Sequence, residues 1–231
     1  MTAIHAVSEK LQLLDVGPWE RHRHTNAYGA FVLEGAYLEY GDHGRFRAEP
    51  GQIVAHDALD AHANTVVDGR TRVINFALPA DHKLPRVFEV ANAAGLERAL
   101  LSNQPIAEHL ASARPARAEV FDDWPDKLAR DLVERPLRLR NWACSHGVSA
   151  SKVSRGFAQA YGISPARFRL EQQVLRGFRL LSSERLGIAE AAHDCGFADQ
   201  AHFTRAMRAV LRTTPARVQF CSRVRGSSAH N

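Results

Sequence analysis

Two groups of side chains in this 231-residue chain are of types, and at spacings, that can do chemistry. The first is His22-Arg23-His24. In a strand, successive side chains alternate faces, so both imidazoles share one face while Arg21 and Arg23 point the other way. Neutral imidazoles ligate zinc-like cations and anchor small polar molecules. The second group occupies two rear segments: Ser151, Lys152, Ser154 and Arg155, then Gln200, His202, Thr204, Arg205 and Arg208. Such side chains suit double-stranded DNA. Arginine forks onto guanine O6 and N7, glutamine onto adenine, serine and threonine reach base edges or phosphates, and lysine neutralises phosphate.

For the second group to act, both segments must be helices with these residues outward, and an internal repeat of about 50 residues predicts that arrangement. Leu139-x-x-x-Ala143-x-x-x-Gly147 lies over Ile188-x-x-x-Ala192-x-x-x-Gly196. With a one-residue slip, Val153-Ser154-Arg155-x-Phe157 lies over Phe203-Thr204-Arg205-x-Met207, and Ser164-Pro165-Ala166-Arg167 matches Thr214-Pro215-Ala216-Arg217. Each copy reads as a helix, a glycine corner, a polar cap (Ser149 or Asp199) and a second helix with apolar residues at i and i+4, the pattern of a helix-turn-helix. Val153, Phe157, Phe203 and Met207 are the expected core. Between the copies, Pro165 to Leu181 is long enough to hold two reading helices about one DNA turn apart.

Charge divides the chain in the same place. Residues 1–125 hold 12 Lys+Arg against 17 Asp+Glu, net −5, whereas residues 126–231 hold 18 against 8, net +10. A basic rear half attracts polyanions, nucleic acid foremost. In front, short apolar or alternating runs (Tyr28 to Leu33, Ala36 to Tyr40, Gly51 to Val54, Arg72 to Leu78), broken by turn signals including Asp68-Gly69, predict a small antiparallel barrel or sandwich. Helices are expected over Arg86 to Leu101 and Ile106 to Ala113, and a linker over Ser112 to Val120. Behind it, a helix capped by Asp123 and stopped by Pro136 should precede Leu137 to Ser145, Ser151 to Tyr161, Pro165 to Leu181, Gly187 to Cys195 and Asp199 to Leu211.

At these residues the chain resembles the AraC/XylS family of transcription regulators, most closely over Ile188-Ala189-Glu190-Ala191-Ala192-His193-Asp194-Cys195-Gly196-Phe197-Ala198-Asp199-Gln200-Ala201-His202-Phe203-Thr204-Arg205. The resemblance covers residues 130 to 220. It implies that the helices begun by Ser151 and Asp199 enter the major groove, with Arg155 and Arg205 as leading contacts. Gln173, Gly177, Arg212 and Val218 depart from the family pattern, and Gly177, costing about 1 kcal/mol relative to Ala, predicts a softer linking helix. With His62, following Gly51-Gln52-Ile53-Val54-Ala55-His56-Asp57, the paired histidines resemble the cupin barrel of such regulators. In metal-binding cupins two motifs bring three imidazoles and a Glu together. Here Tyr28 and Gly29 stand at the expected Glu place and Glu34 comes too late, so His22, His24 and His62 are the candidate set for a divalent metal or an organic effector.

The fold expected is α+β in two domains: residues 1–120 a cupin-like sensing barrel with flanking helices, and residues 121–231 an all-α domain with two helix-turn-helix motifs joined by a linking helix. The partners expected are double-stranded DNA, a small-molecule or metal effector, a second copy in a homodimer, and RNA polymerase. A cupin-type metalloenzyme fused to a DNA-binding tail stays as the alternative. No Gly-rich phosphate loop, nucleophile elbow or suggestive carboxylate pair is present, so no catalytic residue is assigned. No run approaches the roughly 18 apolar residues of a membrane span, and the start lacks an export signal, so a cytoplasmic protein is expected. Cys144, Cys195 and Cys221 form no C-x-x-C pair, as reduced thiols would, and the first two read as small core residues. Trp124 and Trp142 should anchor packing of the first motif, and Gly226 to Asn231 should be a frayed tail.

Overall fold

The computed structural model describes residues 3–5, 11–67, 69–135, 137–183 and 186–228. Asp68, Pro136 and the last three residues of the tail, each named above, lie outside them. The chain forms two compact units, one of residues 2–126 and one of residues 127–231, except that 160–162 group with the former. Among the described residues no helix is long and apolar enough to cross a membrane.

The front unit is two six-stranded sheets. One takes β1 (Ala3–His5), β3 (Gly17–His24), β8 (Ala61–Val66), β5 (Tyr37–Gly41), β6 (Gly44–Ala48) and β12 (Glu119–Val120), in that order. The other takes β11 (Arg114–Pro115), β10 (Val87–Glu89), β7 (Ile53–His56), β4 (Tyr28–Glu34), β9 (Thr71–Ala77) and β2 (Leu11–Leu14). The expected strands appear as β4, β5, β7 and β9. Val32, Tyr37, Phe46, Ala48, Val54, Val66 and Val73 form a core cluster. A second gathers Phe31, Ile53, Ile74, Phe76 and Phe88 with Leu96 and Leu100 of α1 (Ala93–Leu101).

Three front-half expectations change. The helix drawn from Arg86 begins only at Ala93, where Asn92 Oδ1 accepts from the Gly95 amide at 2.8 Å. Ahead of it, alternating burial at Phe88 and Val90 makes a strand of residues whose spacing imitates a helix, and β10 pairs with β7. The second helix is the short α2 (Ala107–Ala111). The linker stretch is pinned to sheet edges, since β11 pairs with β10 and β12 with β6.

Behind them come α3 (Trp124–Glu134), α4 (Leu139–Ser145), α5 (Ala150–Tyr161), α6 (Pro165–Ser183), α7 (Ile188–Asp194), α8 (Gln200–Leu211) and α9 (Pro215–Ser228). Trp142 is buried, as expected, and its Nε1 donates to Asp131 Oδ2 at 2.6 Å. Cys195 is buried but Cys144 is exposed, against expectation, because it sits on the outer side of the short α4. Helix α9 carries the chain through Ser228, so residues 226–228 are helical rather than frayed.

Candidate nucleic-acid interface and histidine pocket

The repeat in sequence is a repeat in backbone geometry. After α4 the Val148 amide bonds to the Ala143 carbonyl and Gly147 to Cys144; after α7 Phe197 bonds to Ala192 and Gly196 to His193. Both ends are Schellman closures, which need a left-handed residue at the corner, and Gly147 (φ 63°) and Gly196 (φ 78°) supply it. The caps recur too: Ser149 Oγ accepts from the Lys152 amide at 3.3 Å and Asp199 Oδ1 from the His202 amide at 2.6 Å. Ser164 and Thr214 cap α6 and α9 in the same way, each ahead of a proline that opens the helix.

These starts fix which way α5 and α8 face. Val153, Phe157, Phe203 and Met207 are fully buried. Turned the other way, Ser151, Lys152, Arg155, Gln200, His202, Arg205 and Arg208 are exposed, and Ser154 and Thr204 are half-buried. Each sequence-derived reading residue is thus on the outer face of its helix or at its margin. Thr204 Oγ1 donates back to the Gln200 carbonyl at 2.8 Å, which leaves its lone pairs outward. The His202 ring stands edge-on to Phe197, centroids 5.2 Å apart. Among the described residues no carboxylate lies within ion-pair distance of Arg155, Arg205 or Arg208. Helix α6 has 19 residues, about 28 Å of rise. Gly177 in its interior faces Phe203 of α8 so closely that a Cβ would lie 2.6 Å from the ring. The glycine expected to soften this helix is what lets the Phe203 ring approach it.

In the front unit, sheet register brings the histidines together. His22 of β3 stands opposite His62 of β8, and Tyr28 of β4 opposite His56 of β7. His62 Nε2 lies 2.9 Å from His22 Nε2 and 3.3 Å from Tyr28 Oη, while His62 Nδ1 lies 3.0 Å from His56 Nδ1. The His24 ring packs 4.8 Å from His22 and 5.5 Å from His62. Candidate ligand atoms of His22, His24 and His62 all fall within 4.8 Å of one another. Burial lowers the pKa of His56 and His62, aided by neighbouring imidazoles, so both rings are neutral and keep lone pairs. Three neutral imidazoles fit a borderline-soft divalent cation such as zinc rather than magnesium or calcium. The pocket, which Trp19, Tyr37 and Asn64 also line, encloses about 90 Å³. That falls well below the roughly 300 Å³ of ordinary small-molecule sites.

Two side chains that sequence reasoning did not assign join this group. His56 ends β7 beside His62, and Glu39 of β5, 5% exposed, places Oε2 3.5 Å from His56 Nε2. This carboxylate stands beside His56 rather than among the His22, His24 and His62 ligand atoms, so the three-histidine set still has no Glu of its own. Burial pushes the Glu39 carboxyl up to about 8. Its signal was the period of two in Tyr37-Leu38-Glu39-Tyr40-Gly41, which puts Glu39 on the buried face with Tyr37. The arginines of β3 are buried as well: Arg21 and Arg23 converge on Asp42, Arg23 Nη1 donating to Oδ2 at 3.0 Å.

Residues 142–219 match the helix-turn-helix domain family. The chain is 28% identical over 97 residues to the virulence regulon transcriptional activator VirF of Yersinia enterocolitica, covering 41% of this chain and 36% of that protein. It is 31% identical over 86 residues to an HTH-type transcriptional regulator, YfiF, of Bacillus subtilis, covering 37% and 27%. The chain thus spans about a third of the length of the curated relatives it matches. A solved transcriptional regulator with an AraC-type DNA-binding domain from Chromobacterium violaceum is 30% identical over 36% of this chain and 75% of its own, TM-score 0.35. The DNA-binding domain of AdpA, solved with a target DNA, is 23% identical over 45% of this chain and 96% of its own, TM-score 0.42.

Proposed function

We propose that this chain, whose residues 142–219 match the helix-turn-helix domain family, is a sequence-specific DNA-binding transcription regulator of AraC type. The observation that carries the reading is the duplicated outward face: two capped helices, each with one apolar side buried and outside it an arginine with no ion-pair partner among the described residues. Arg155 with Ser151, Lys152 and Ser154 would read one segment of major groove. Arg205 with Gln200, His202, Thr204 and Arg208 would read the next. The front barrel is its sensor, with His22, His24 and His62 holding a divalent d-block cation as effector. The small pocket volume favours an ion over an organic molecule. For the cation to regulate, it must bind better to one of two DNA-affinity states, since equal affinity shifts nothing.

Selection of bound sequences from a random double-stranded DNA pool by the full chain, with and without added Zn²⁺, tests this. The expected result is an enriched motif of two short elements about 10 base pairs apart, with recovery altered by the cation. A pool that stays random in both arms overturns the regulator reading; an enriched motif indifferent to Zn²⁺ overturns the sensor alone.

A further inference from the structure

Behind the three imidazoles runs a chain of contacts that their own chemistry does not require: His22 to His62, His62 to His56, and His56 to Glu39. Its direction can be worked out from one end. His22 Nδ1 lies 2.8 Å from the Glu20 carbonyl oxygen, which can only accept, so Nδ1 carries the hydrogen and Nε2 the lone pair. For His62 to offer a lone pair to the same cation, its Nε2 must also be bare, and its hydrogen then sits on Nδ1. That Nδ1 faces His56 Nδ1 at 3.0 Å, so His56 accepts there and carries its own hydrogen on Nε2. His56 Nε2 faces Glu39 Oε2. The last two links then each have one donor and one acceptor, with Glu39 Oε2 accepting at the far end, while at the first link two bare Nε2 atoms face each other across the place of the cation.

We infer that Glu39, acting through His56, is a positioning residue that holds His62 with its Nε2 lone pair turned toward a divalent cation shared with His22 and His24. One feature supports it. Glu39 Oε2 is buried and has no hydrogen-bond partner among the described residues, and the His56 Nε2 hydrogen, 3.5 Å away, is the donor the relay aims at it. Glu39, His56 and His62 also lie close enough to suggest a second metal cage. A hydrogen held between the His56 and His62 Nδ1 atoms, 3.0 Å apart, makes this group a wire rather than a cage. Carboxylates behind metal-bound histidines typically raise metal affinity 10–100-fold.

The inference rests on the cation reading of the pocket, and one experiment separates the two. The full chain, its Glu39→Gln and His56→Asn variants and the double variant are titrated with Zn²⁺ against a chromophoric chelator, with Tm recorded without metal. Glutamine keeps the size of glutamate, so a merely structural role predicts unchanged affinity at unchanged Tm. The expected result is a 10–100-fold loss of Zn²⁺ affinity in each single variant and no further loss in the double, because the two residues act through one path. If the parent binds Zn²⁺ and Glu39→Gln matches it, or if the losses multiply in the double variant, the relay is wrong. Should the parent take up no Zn²⁺, the cation reading itself falls and the relay with it.

Discussion

The two units use arginine in opposite senses. In the front unit Arg21 and Arg23, 9% and 0% exposed, turn inward from one strand and share the Asp42 carboxylate. In the rear unit Arg155, Arg205 and Arg208 stand in solvent on helices whose other side is apolar core. A buried guanidinium needs a counter-charge, and the front unit supplies one to both arginines by long-range pairing with Asp42. An exposed one costs nothing to leave unpaired and is ready for an external anion. The contrast separates structural charge from charge available to a partner.

Substitutions should expose that contrast, and the largest effect belongs to the buried cluster. Asp42→Ala removes the carboxylate that Arg21, Arg23 and the Ala61 amide share, and should cost about 3–5 kcal/mol of front-unit stability in denaturant unfolding. Arg155→Ala or Arg208→Ala should leave the rear unit's unfolding free energy within about 0.5 kcal/mol of the parent. An equal loss from both classes would erase the distinction.

A second test uses pH. The Glu39 carboxyl sits at about 8 when folded, above its ordinary value of 4.5, so the folded state binds the extra proton between those values. That contribution is complete below about pH 4.5 and is lost as pH rises through about 8. The depressed imidazoles of His56 and His62 act the other way below about pH 6.5, so the Glu39 contribution is read as the stability of metal-free parent minus that of metal-free Glu39→Gln, which should fall by on the order of a few kcal/mol across this window. An unchanged slope in the variant would place the titration elsewhere.

Packing gives the third effect. Helix propensity alone predicts that Gly177→Ala stabilises α6, whereas a methyl 2.6 Å from the Phe203 ring should cost about 1–3 kcal/mol and disturb α8. A higher Tm for Gly177→Ala would show that the ring gives way freely. The smallest effect is at Arg212, which ends α8 with φ 54°. Glycine adopts that conformation without a Cβ clash, so Arg212→Gly should raise stability by up to about 1 kcal/mol in thermal unfolding. A lower Tm would mean that the arginine side chain contributes more than the strain costs.

The same contrast explains what could be read from the sequence. The rear unit was legible because its signals are local and doubled: glycine corners, Ser149 and Asp199 caps and i, i+4 apolar pairs all lie within one or two helical turns. Even α9, which was not expected, carried its mark in Thr214-Pro215, the counterpart of Ser164-Pro165. Strands β4, β5, β7 and β9 were legible by alternation, and so was the shared face of His22 and His24. The pocket's membership was not. His22 and His62 are 40 residues apart in sequence and meet only through β3–β8 register. Glu39 joins them from β5, and no spacing rule links it to His56 on the opposite sheet. Helix and strand were confused at Val87 to Val90, where four residues satisfy both periodicities and only the pairing of β10 with β7 decides.

The central claim is that the outward faces of α5 and α8 read DNA bases. It is tested most directly by the affinity of Arg155→Ala and Arg205→Ala for a selected operator and for a scrambled duplex, measured at several salt concentrations. Each variant should lose about 1–3 kcal/mol on the operator, relax preference at the base it faces, and keep a steep salt dependence. If both variants bind the operator as tightly and as selectively as the parent, those helices are not the reading surface.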